Sequence, residues 1–171
     1  MEILINSGIF KRRLTLVRNE FIKADEKPDS HVYYIESGSV RFYTIDEGEE
    51  RITRFGYQGN IVVFLDSFLT NRPSAYIMQA NKKTELLVAT KAAFEAFVNQ
   101  TEETQKFYQS ILENLIVQQM EREEDLLINS PKTRYMRVLK RSPQLFQEIP
   151  LRYIANYLRM TPETLSRLKK S

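Results

Sequence analysis

The chain of 171 residues contains no cysteine, no tryptophan and one histidine, His31. The lack of cysteine excludes disulfide scaffolds, thiolate nucleophiles and cysteine-ligated iron–sulfur clusters. One histidine cannot supply the multi-histidine metal sites of zinc enzymes or of enzymes with a cupin-type roll. We therefore expect no metal site and no catalytic residue, which predicts that the protein is not an enzyme. His31, close to Asp29, is interpreted as a turn residue at the start of a strand.

Long hydrophobic runs are also absent, since the longest consists of the five residues 61–65. A transmembrane helix needs about 20 apolar residues, and residues 1–6 contain no secretory hydrophobic region. The sequence thus predicts a cytoplasmic protein that does not bind a membrane. Hydrophobic residues make up 42% of the chain and charged residues 27%, which suffices for one ordinary domain or for two small ones that share a helix.

The charge is distributed unevenly along the chain. Residues 1–130 carry 15 Lys and Arg against 20 Asp and Glu, a net charge of −5, whereas residues 131–171 carry 10 against 2, a net charge of +8. A basic segment of this kind most often binds phosphate groups, which points to nucleic acid. The alternative is a solvated basic tail without a partner.

Between about Leu14 and Val88, apolar and β-branched residues alternate with polar ones in short segments, which is typical of β-strands. The predicted strands are residues 32–35, 40–45, 51–55, 61–65, 75–79 and 85–88. We interpret residues 36–39 as the turn of a hairpin between the first two of these strands, and residues 46–50 as a second turn. Closely spaced strands without long helices between them predict an antiparallel barrel or roll.

Helical periodicity begins after Thr90, where a short helix is expected to close the roll, and continues in a long helix over residues 101–129 without glycine or proline. Its apolar stripe consists of Phe107, Tyr108, Ile111, Leu112, Leu115, Ile116 and Met120. The stripe either covers the chain's own roll or forms a short coiled coil with a second copy. In the second case the dimerisation residues are Phe107, Ile111, Leu112, Leu115, Ile116 and Met120.

Two features follow in the sequence. The acidic run at residues 121–125 is predicted to be a solvated helix face without a chemical role. Ser130 and Pro131 then supply an N-cap and a first helical residue for another helix, which ends near Ser142.

The last 22 residues contain the most informative motif. Residues 150–158 are predicted to form a short helix and residues 159–161 a connection. Thr161 then caps a second helix that starts at Pro162. Two short helices joined by three residues are typical of a helix-turn-helix. The alternative is an ordinary helical hairpin that carries basic residues.

The side chains of this motif divide between two sides. Ala155 is the small residue at the helix contact, and the apolar anchors are Ile154, Leu158, Leu165 and Leu168. The opposite side is expected to enter the major groove of DNA. The predicted DNA-binding residues are Thr161, Pro162, Glu163, Thr164, Ser166 and Arg167 in the groove, and Arg152, Lys169 and Lys170 at the phosphate backbone. Glu163 is suited to accept from a cytosine amino group and Arg167 to donate to a guanine or a phosphate.

With the strand-rich segment, the long helix, the helix at Ser130-Pro131 and the terminal motif of residues 153–167, the chain resembles the Crp/Fnr superfamily of transcription regulators. Residues 66–74 are similar to a segment of short members from Bacteroidetes-type bacteria. The resemblance implies an α+β fold with a cyclic-nucleotide-binding-type antiparallel jelly roll at residues 1–100, a dimerisation helix at 101–129 and a helix-turn-helix domain at 130–171. It also implies a homodimer that recognises double-stranded DNA at promoters, with RNA polymerase as a further partner.

The chain departs from the pattern of the cyclic-AMP-binding members. Those members hold the ribose with a Gly-Glu pair and the phosphate with an Arg that precedes Ser or Thr and Ala, whereas this chain has Val63-Phe64 and Pro73 at those places. We expect no cofactor and no tight binding of cyclic AMP, and the residues identify no other effector. The candidate ligand-binding residues are Arg72, Ser74 and Phe64, although Arg72 is favoured as a solvated turn residue. Arg159 stands where the helix-turn-helix connection often has glycine.

We therefore predict a dimeric, sequence-specific DNA-binding regulator with a degenerate nucleotide pocket. The alternative is a ligand-sensing or protein-interaction module whose basic C-terminal end docks an acidic protein. The chain ends three residues after Leu168, so no wing hairpin is expected after the second helix of the motif.

Overall fold

The structure, a computed structural model, describes residues 1–24 and 26–170. The chain divides into two compact units, one of Met1–Gln105 and one that starts at Lys106. No helix within the described ranges has both the length and the apolar character needed to cross a bilayer.

The first unit consists mainly of strands. Its elements in chain order are α1 (Glu2–Ile5), β1 (Arg12–Leu16), β2 (Phe21–Lys23), β3 (His31–Ser37), β4 (Ser39–Asp46), β5 (Glu49–Tyr57), β6 (Ile61–Val62), α2 (Leu65–Thr70), β7 (Ile77–Ala80), β8 (Thr84–Thr90) and α3 (Lys91–Val98). The strands form two four-stranded sheets with the orders β1-β8-β3-β6 and β2-β7-β4-β5. Every pair of neighbouring strands is antiparallel.

Side chains from both sheets meet in one apolar core. Tyr33, Ile35 and Leu86 of the first sheet and Val40 and Met78 of the second are at most 2% exposed. Burial of a large apolar side chain contributes about 1.5–3 kcal/mol relative to its exposure, so this core is what holds the two sheets together. We call the two sheets and their core the β-roll. The predicted antiparallel roll is confirmed.

The hairpin predicted across residues 36–39 is wrong. β3 and β4 lie in different sheets, and the partners of β3 are β6 and β8. The chain changes sheets at Gly38, whose φ is +92° and whose position leaves no room for a Cβ, since that atom would lie 2.4 Å from Thr84 Oγ1. The next N–H, that of Ser39, donates to the same hydroxyl over 3.1 Å. A single glycine packed on β8 thus directs the chain into the second sheet instead of back along β3.

The predicted turn at residues 46–50 is confirmed, and it joins β4 to β5. Asp46 is paired with Glu49, which leaves Glu47 and Gly48 as a two-residue loop. Their φ angles are +51° and +81°. Positive φ at both positions is what a tight turn needs if its twist is to match that of the flanking strands.

The strand predicted at residues 61–65 is only partly correct. Ile61 and Val62 pair with β3, but Leu65 already begins α2. The residue after α2, Asn71, takes the left-handed conformation with a φ of +56°. A short apolar run does not by itself distinguish a buried strand from a buried helix, which explains the error. The short helix α3 predicted after Thr90 is confirmed, and the Thr90 hydroxyl accepts from the Ala93 N–H over 3.2 Å.

The long helix is also confirmed. α4 (Glu102–Leu127) begins with a reciprocal cap, because the Thr104 N–H donates to the Thr101 hydroxyl and the Thr101 N–H donates to the Thr104 hydroxyl, each over 3.1 Å. The following helices are α5 (Pro131–Arg141), α6 (Leu145–Glu148), α7 (Leu151–Tyr157) and α8 (Pro162–Lys170). α5 has the predicted Ser130 cap, whereas α6 was not predicted.

α7 and α8 pack closely through the residues that the sequence suggested. Ile154, Ala155, Leu158 and Leu165 are 0% exposed. Arg159, in the connection, takes the left-handed conformation with a φ of +54°, as expected for a position that often has glycine. The side chain of Arg134 in α5 donates to the carbonyl oxygens of Leu158 over 2.9 Å and of Arg159 over 3.1 Å. The turn is therefore held by a buried guanidinium as well as by apolar packing.

Candidate nucleic-acid interface and roll interior

The start of α8 is capped by Thr161. Its hydroxyl accepts from the Thr164 N–H over 3.2 Å. Pro162 follows as the first helical residue, where the absence of an N–H costs nothing. The remaining N–H groups at this end carry the positive end of the helix dipole, which favours a negative ligand.

The predicted DNA-binding residues lie mostly on one accessible side. Those that are exposed are Thr161, Pro162, Glu163, Ser166, Arg167, Lys169, Lys170 and Arg152, while Thr164 is partly buried. On the other side of α8, Leu165 is completely buried and Leu168 is partly buried. The helix therefore has an apolar side packed inside the unit and a polar side open to solvent.

The charges on α8 follow the helix dipole. The pKa of Glu163 is lowered, first by a hydrogen bond from its own backbone N–H and then by the Thr161 hydroxyl. The side chain is consequently an acceptor at neutral pH. Arg167, Lys169 and Lys170 stand in the last turn, where cations are favoured. Arg152 is less available, because its Nη2 donates to the Tyr153 hydroxyl over 2.6 Å.

The acidic run at residues 121–125 is only partly a solvated helix face, which corrects the sequence-based prediction. Asp125 is 0% exposed, and its two carboxylate oxygens accept from Arg137 over 3.1 Å and from Arg141 over 2.5 Å. Glu124 also accepts from Arg137, and Glu121 lies 3.3 Å from Arg141. The hydrogen bonds that Arg137 donates to Asp125 and then to Glu124 raise the pKa of Arg137. The run fixes the end of α4 to α5.

A second contact fixes the same end of α4 to α7. The guanidinium carbon of Arg122 lies 3.6 Å from the centroid of the Tyr157 ring. Burial lowers the pKa of Arg122 and raises that of Tyr157. Among the residues that the structure describes, Arg122 Nη1 is the buried side-chain polar atom that lacks a hydrogen-bond partner. The cation–π attraction of the Tyr157 ring compensates part of the hydration free energy that this N–H group loses on burial.

In the β-roll, the three predicted ligand-binding residues differ in their exposure and in their contacts. Phe64 is 0% exposed and belongs to the core, where its ring lies 5.6 Å from that of Phe42. Ser74 is 3% exposed, whereas Arg72 is exposed to solvent. Phe64 is packed in the core, and the Ser74 hydroxyl is engaged in a hydrogen bond. Arg72 is the solvated turn residue that the sequence favoured.

The Ser74 hydroxyl donates to a residue that sequence reasoning missed. The Ser74 hydroxyl lies 2.8 and 3.0 Å from the two carboxylate oxygens of Asp66, and the Ala75 N–H donates to the same carboxylate over 3.3 Å. Asp66 stands in the first turn of α2, eight residues before Ser74. The only sequence signal for this hydrogen bond was that Asp66 and Ser74 lie in the same short, turn-rich segment.

Sequence reasoning also missed Arg54. Its guanidinium carbon lies 5.2 Å from the centroid of the Phe42 ring, and its Nη2 donates to the Val63 carbonyl oxygen over 3.2 Å. Burial lowers the pKa of Arg54, and the neighbouring Tyr76 acts in the opposite direction. The register of β4 and β5 shifts between Phe42 and Tyr43, which leaves Thr53 without an opposite residue. Simple alternation along β5 therefore does not tell on which face Arg54 lies.

His31 has a structural setting. It is the first residue of β3, as predicted, and its Nδ1 lies 3.1 Å from Asp29 Oδ1. The other carboxylate oxygen of Asp29 accepts from the Tyr33 hydroxyl over 2.6 Å. In the part of the chain that the structure describes, no group of three or more acidic or histidine side chains is arranged to hold a metal ion.

Comparison with solved structures shows the same fold in several proteins. FixK2 from Bradyrhizobium japonicum is 17% identical, and the match covers 93% of this chain and 82% of that one with a TM-score of 0.77. For CLP from Xanthomonas campestris, described as a c-di-GMP-responsive global regulator, the identity is 13%, the coverage 99% and 89%, and the TM-score 0.70. A CRP/FNR-family regulator from Thermus thermophilus is 18% identical, with coverage of 92% and 83% and a TM-score of 0.66.

Comparison of sequences gives a more direct assignment. No curated protein matches the chain. The family model of the cyclic nucleotide-binding domain, however, matches residues 13–101, a range that runs from β1 to the Thr101 cap of α4 and takes in more than half of the chain. The chain therefore belongs to the cyclic nucleotide-binding domain family.

Proposed function

We propose that this protein is a sequence-specific, DNA-binding transcription regulator of the Crp/Fnr type that acts in the cytoplasm as a homodimer. α7 and α8 are its helix-turn-helix, and α8 is the recognition helix. The observation that carries the proposal is the two-sided character of α8, in which Leu165 is 0% exposed while Glu163, Ser166 and Arg167 are open to solvent. The family to which the chain belongs binds ligands, and the protein is not an enzyme.

The chemistry of the exposed side is that of a major-groove reader. Ionised Glu163 accepts from a cytosine amino group, and Arg167 donates to the acceptors of guanine. Lys169 and Lys170 at the end of α8 are placed to neutralise phosphates. Arg152 is proposed to contact the phosphate backbone as well. The net charge of +8 over residues 131–171 supplies the attraction to DNA that does not depend on sequence.

The long helix supports the proposed homodimer. Of the six predicted dimerisation residues, Ile116 and Met120 are 59% and 62% exposed, while Phe107, Ile111, Leu112 and Leu115 are partly buried. Leu127 is 75% exposed. Ile116, Met120 and Leu127 fit the 4-3-4 spacing of a coiled-coil seam, in which the position between Met120 and Leu127 is the charged Glu123. A second copy paired along this seam sets two recognition helices about 34 Å apart on a pseudo-palindromic site, and a promoter-bound dimer has RNA polymerase as its further partner.

We further propose that the nucleotide pocket is degenerate. The pattern of the cyclic-AMP-binding members assigns the phosphate to an arginine and to the Ser or Thr after it. Pro73 stands at the arginine position, and the Ser74 hydroxyl already donates to Asp66. A phosphate at this place would meet the Asp66 carboxylate, which repels it. The expected result is no tight binding of cyclic AMP.

A DNA titration tests the proposal. Fluorescence anisotropy with a pool of genomic fragments should give saturable binding that weakens steeply as salt is added. Arg167→Ala should reduce the affinity for selected sites by about 1–3 kcal/mol and relax specificity, whereas Lys170→Ala should weaken binding to all sequences alike. Indifference to DNA at low salt contradicts the proposal. Capture of an acidic protein that persists after nuclease treatment would then favour the alternative of a protein-interaction module.

A further inference from the structure

Arg134 of α5 lies between two junctions of the second unit, and it is only 8% exposed. Its Nε and Nη2 donate to the carbonyl oxygens of Leu158 over 2.9 Å and of Arg159 over 3.1 Å. Its Nη1 donates instead to the carbonyl oxygens of Ile128 over 2.5 Å and of Asn129 over 3.2 Å. One side chain therefore joins the connection between α7 and α8 to the link between α4 and α5.

Main-chain oxygens take the place of a carboxylate around this cation. Ile128 follows the last residue of α4, and Leu158 is the C-cap of α7. The C-terminal end of a helix carries a partial negative charge and leaves carbonyl oxygens without a partner inside the helix. Within the described residues, each hydrogen bond of the Arg134 side chain ends on a main-chain carbonyl. Neither helix end can move away from the guanidinium without leaving buried hydrogen bonds unmade.

A strained residue lies at the same connection. Arg159 has a φ of +54°, which is unfavourable for a residue with a Cβ. Such strain persists where the surrounding structure holds the residue in place. The hydrogen bond from Arg134 Nη2 to the Arg159 carbonyl oxygen supplies that restraint. Because α8 begins three residues later, at Pro162, the direction in which the chain leaves Arg159 influences the direction of α8.

Other contacts hold the helices of this unit together at other points. Asp125 fixes α4 to α5, and the contact of Arg122 with Tyr157 fixes α4 to α7. Leu165 keeps α8 packed inside the unit, but apolar packing is non-directional, whereas hydrogen bonds have a preferred geometry. Arg134 adds a directional contact between the link after α4 and the connection before α8.

We propose that Arg134 is a positioning residue that sets the orientation of α8 relative to the end of α4, and thereby the half-site spacing that the proposed dimer accepts. In that dimer the two α4 helices are paired, so the angle between each α4 and its α8 determines where the two recognition helices meet the duplex. The statement about spacing rests on the proposed function. The orientation of α8 within one copy does not, because it depends on the second unit alone.

Distances between spin labels test the orientation without DNA. The chain has no cysteine, so Gln118→Cys in α4 and Ser166→Cys in α8 take one label each, and both positions are exposed. The labelled full chain, diluted with unlabelled protein, gives the distance within one copy by pulsed electron paramagnetic resonance. We expect a narrow distribution when Arg134 is present. Arg134→Lys should give a broader one, because one ammonium group cannot reach both junctions as the planar guanidinium does.

A matched variant separates positioning from stability. Val138→Ala removes apolar packing from the same helix, where Val138 is 1% exposed, and lowers the thermal midpoint by creating a cavity. It leaves the hydrogen bonds of Arg134 in place, so its distance distribution should stay narrow. Arg134→Met removes the charge and all of these bonds, and should give the broadest distribution. If Arg134→Met fails to fold, Arg134→Lys decides.

Binding to paired half-sites tests the spacing. A site selected by the wild-type protein is compared with versions that have one base pair more or fewer between the half-sites, which turns one half-site by about 34–36° around the duplex. Simultaneous binding of two half-sites raises avidity about 10²–10⁴-fold, and we expect the wild type to lose most of this gain on either change. Arg134→Lys should bind the selected site about tenfold more weakly and depend less on the spacing, with its affinity for a single half-site kept.

The inference is overturned if the distance distribution of Arg134→Lys is as narrow as that of the wild type, or if Val138→Ala broadens it equally. An unchanged dependence on half-site spacing in Arg134→Lys also overturns it. A wild-type protein that binds no DNA refutes the proposed regulator, and the label distances then decide the role of Arg134 on their own. DNA binding with an unchanged label distribution supports the regulator and rejects the positioning role.

Discussion

At the scale of single residues, Asp125 determines how the end of α4 is held. It is 0% exposed and accepts from two arginines, which are themselves 38% and 22% exposed. Asp125→Asn keeps the shape but removes the charge, so we expect a loss of about 2 kcal/mol in the free energy of unfolding, as for hydrogen bonds between charged groups. Urea unfolding followed by circular dichroism measures it.

The matched control for this prediction is Glu124→Gln. Glu124 pairs with the same Arg137 but is 66% exposed, and exposed ion pairs contribute at most about 1 kcal/mol. If Glu124→Gln lost as much stability as Asp125→Asn, burial of the carboxylate would not be what determines its contribution to the free energy of unfolding.

Gly38 offers a second prediction at this scale. Its left-handed backbone and the atoms of Thr84 and Lys83 that would lie within 2.4–2.6 Å of an added Cβ both oppose a side chain. We expect Gly38→Ala to lower the free energy of unfolding by about 3 kcal/mol through strain and overpacking together. Gly59→Ala is the control, since Gly59 has a φ of +88° but no atom within 4 Å of the added Cβ, and should lose only about 1 kcal/mol. Thermal unfolding measures both variants. Equal losses of stability in Gly38→Ala and Gly59→Ala would contradict the conclusion that Thr84 and Lys83 crowd a side chain at position 38.

At the scale of elements, the connection between α7 and α8 carries backbone strain at Arg159, whose φ is +54° and whose side chain is exposed. The left-handed conformation costs a residue with a Cβ about 1–2 kcal/mol, which glycine would relieve. The greater conformational freedom of glycine in the unfolded chain reduces this gain in stability by about 0.5–1 kcal/mol. Arg159→Gly should therefore raise the stability by about 0.5 kcal/mol. Arg167→Gly, in the last turn of α8, should lower it by at most about 1 kcal/mol.

Chemical denaturation of both glycine variants checks this prediction. A loss of stability in Arg159→Gly would show that the exposed side chain makes contacts that outweigh the strain. DNA affinity measured on the same variants adds a second readout, because only Arg167 belongs to the proposed reading face.

At the scale of the whole molecule, the proposed homodimer depends on the exposed apolar residues Ile116, Met120 and Leu127 of α4. Ile116→Glu places a charge at a position that is 59% exposed in the single chain but buried in the proposed dimer. We expect the dimer to dissociate, and affinity for a two-half-site DNA to fall with it, because each copy then binds one half-site alone.

Sedimentation equilibrium measures the mass of the assembly directly. Gln118→Glu is the control, because it introduces the same charge on a different side of α4, about 200° away from Ile116 around the helix axis. If both variants keep the wild-type mass, the seam does not form the interface.

The sequence by itself determined the features that depend on neighbouring residues. Thr90, Ser130 and Thr161 each cap a helix where one was predicted to begin, because a cap needs only one hydroxyl and the N–H groups of the next turn. The alternation of side chains likewise predicted strands, their close spacing predicted an antiparallel arrangement, and residues 46–50 were predicted to form the turn that joins β4 to β5. The spacing of the apolar anchors placed Leu165 on the buried side of α8 and Arg167 on its exposed side.

Only the tertiary structure decided what depends on residues far apart in the chain. Gly38 sends β4 into another sheet because Thr84 lies against it, and Asp125 is buried because Arg137 and Arg141 reach it from the next helix. Arg54 faces the roll interior because one unpaired residue shifts the register of two strands. Local sequence specifies the backbone conformation within a turn or two, but the partner of a buried charge or of a strand edge is chosen by packing across the whole fold.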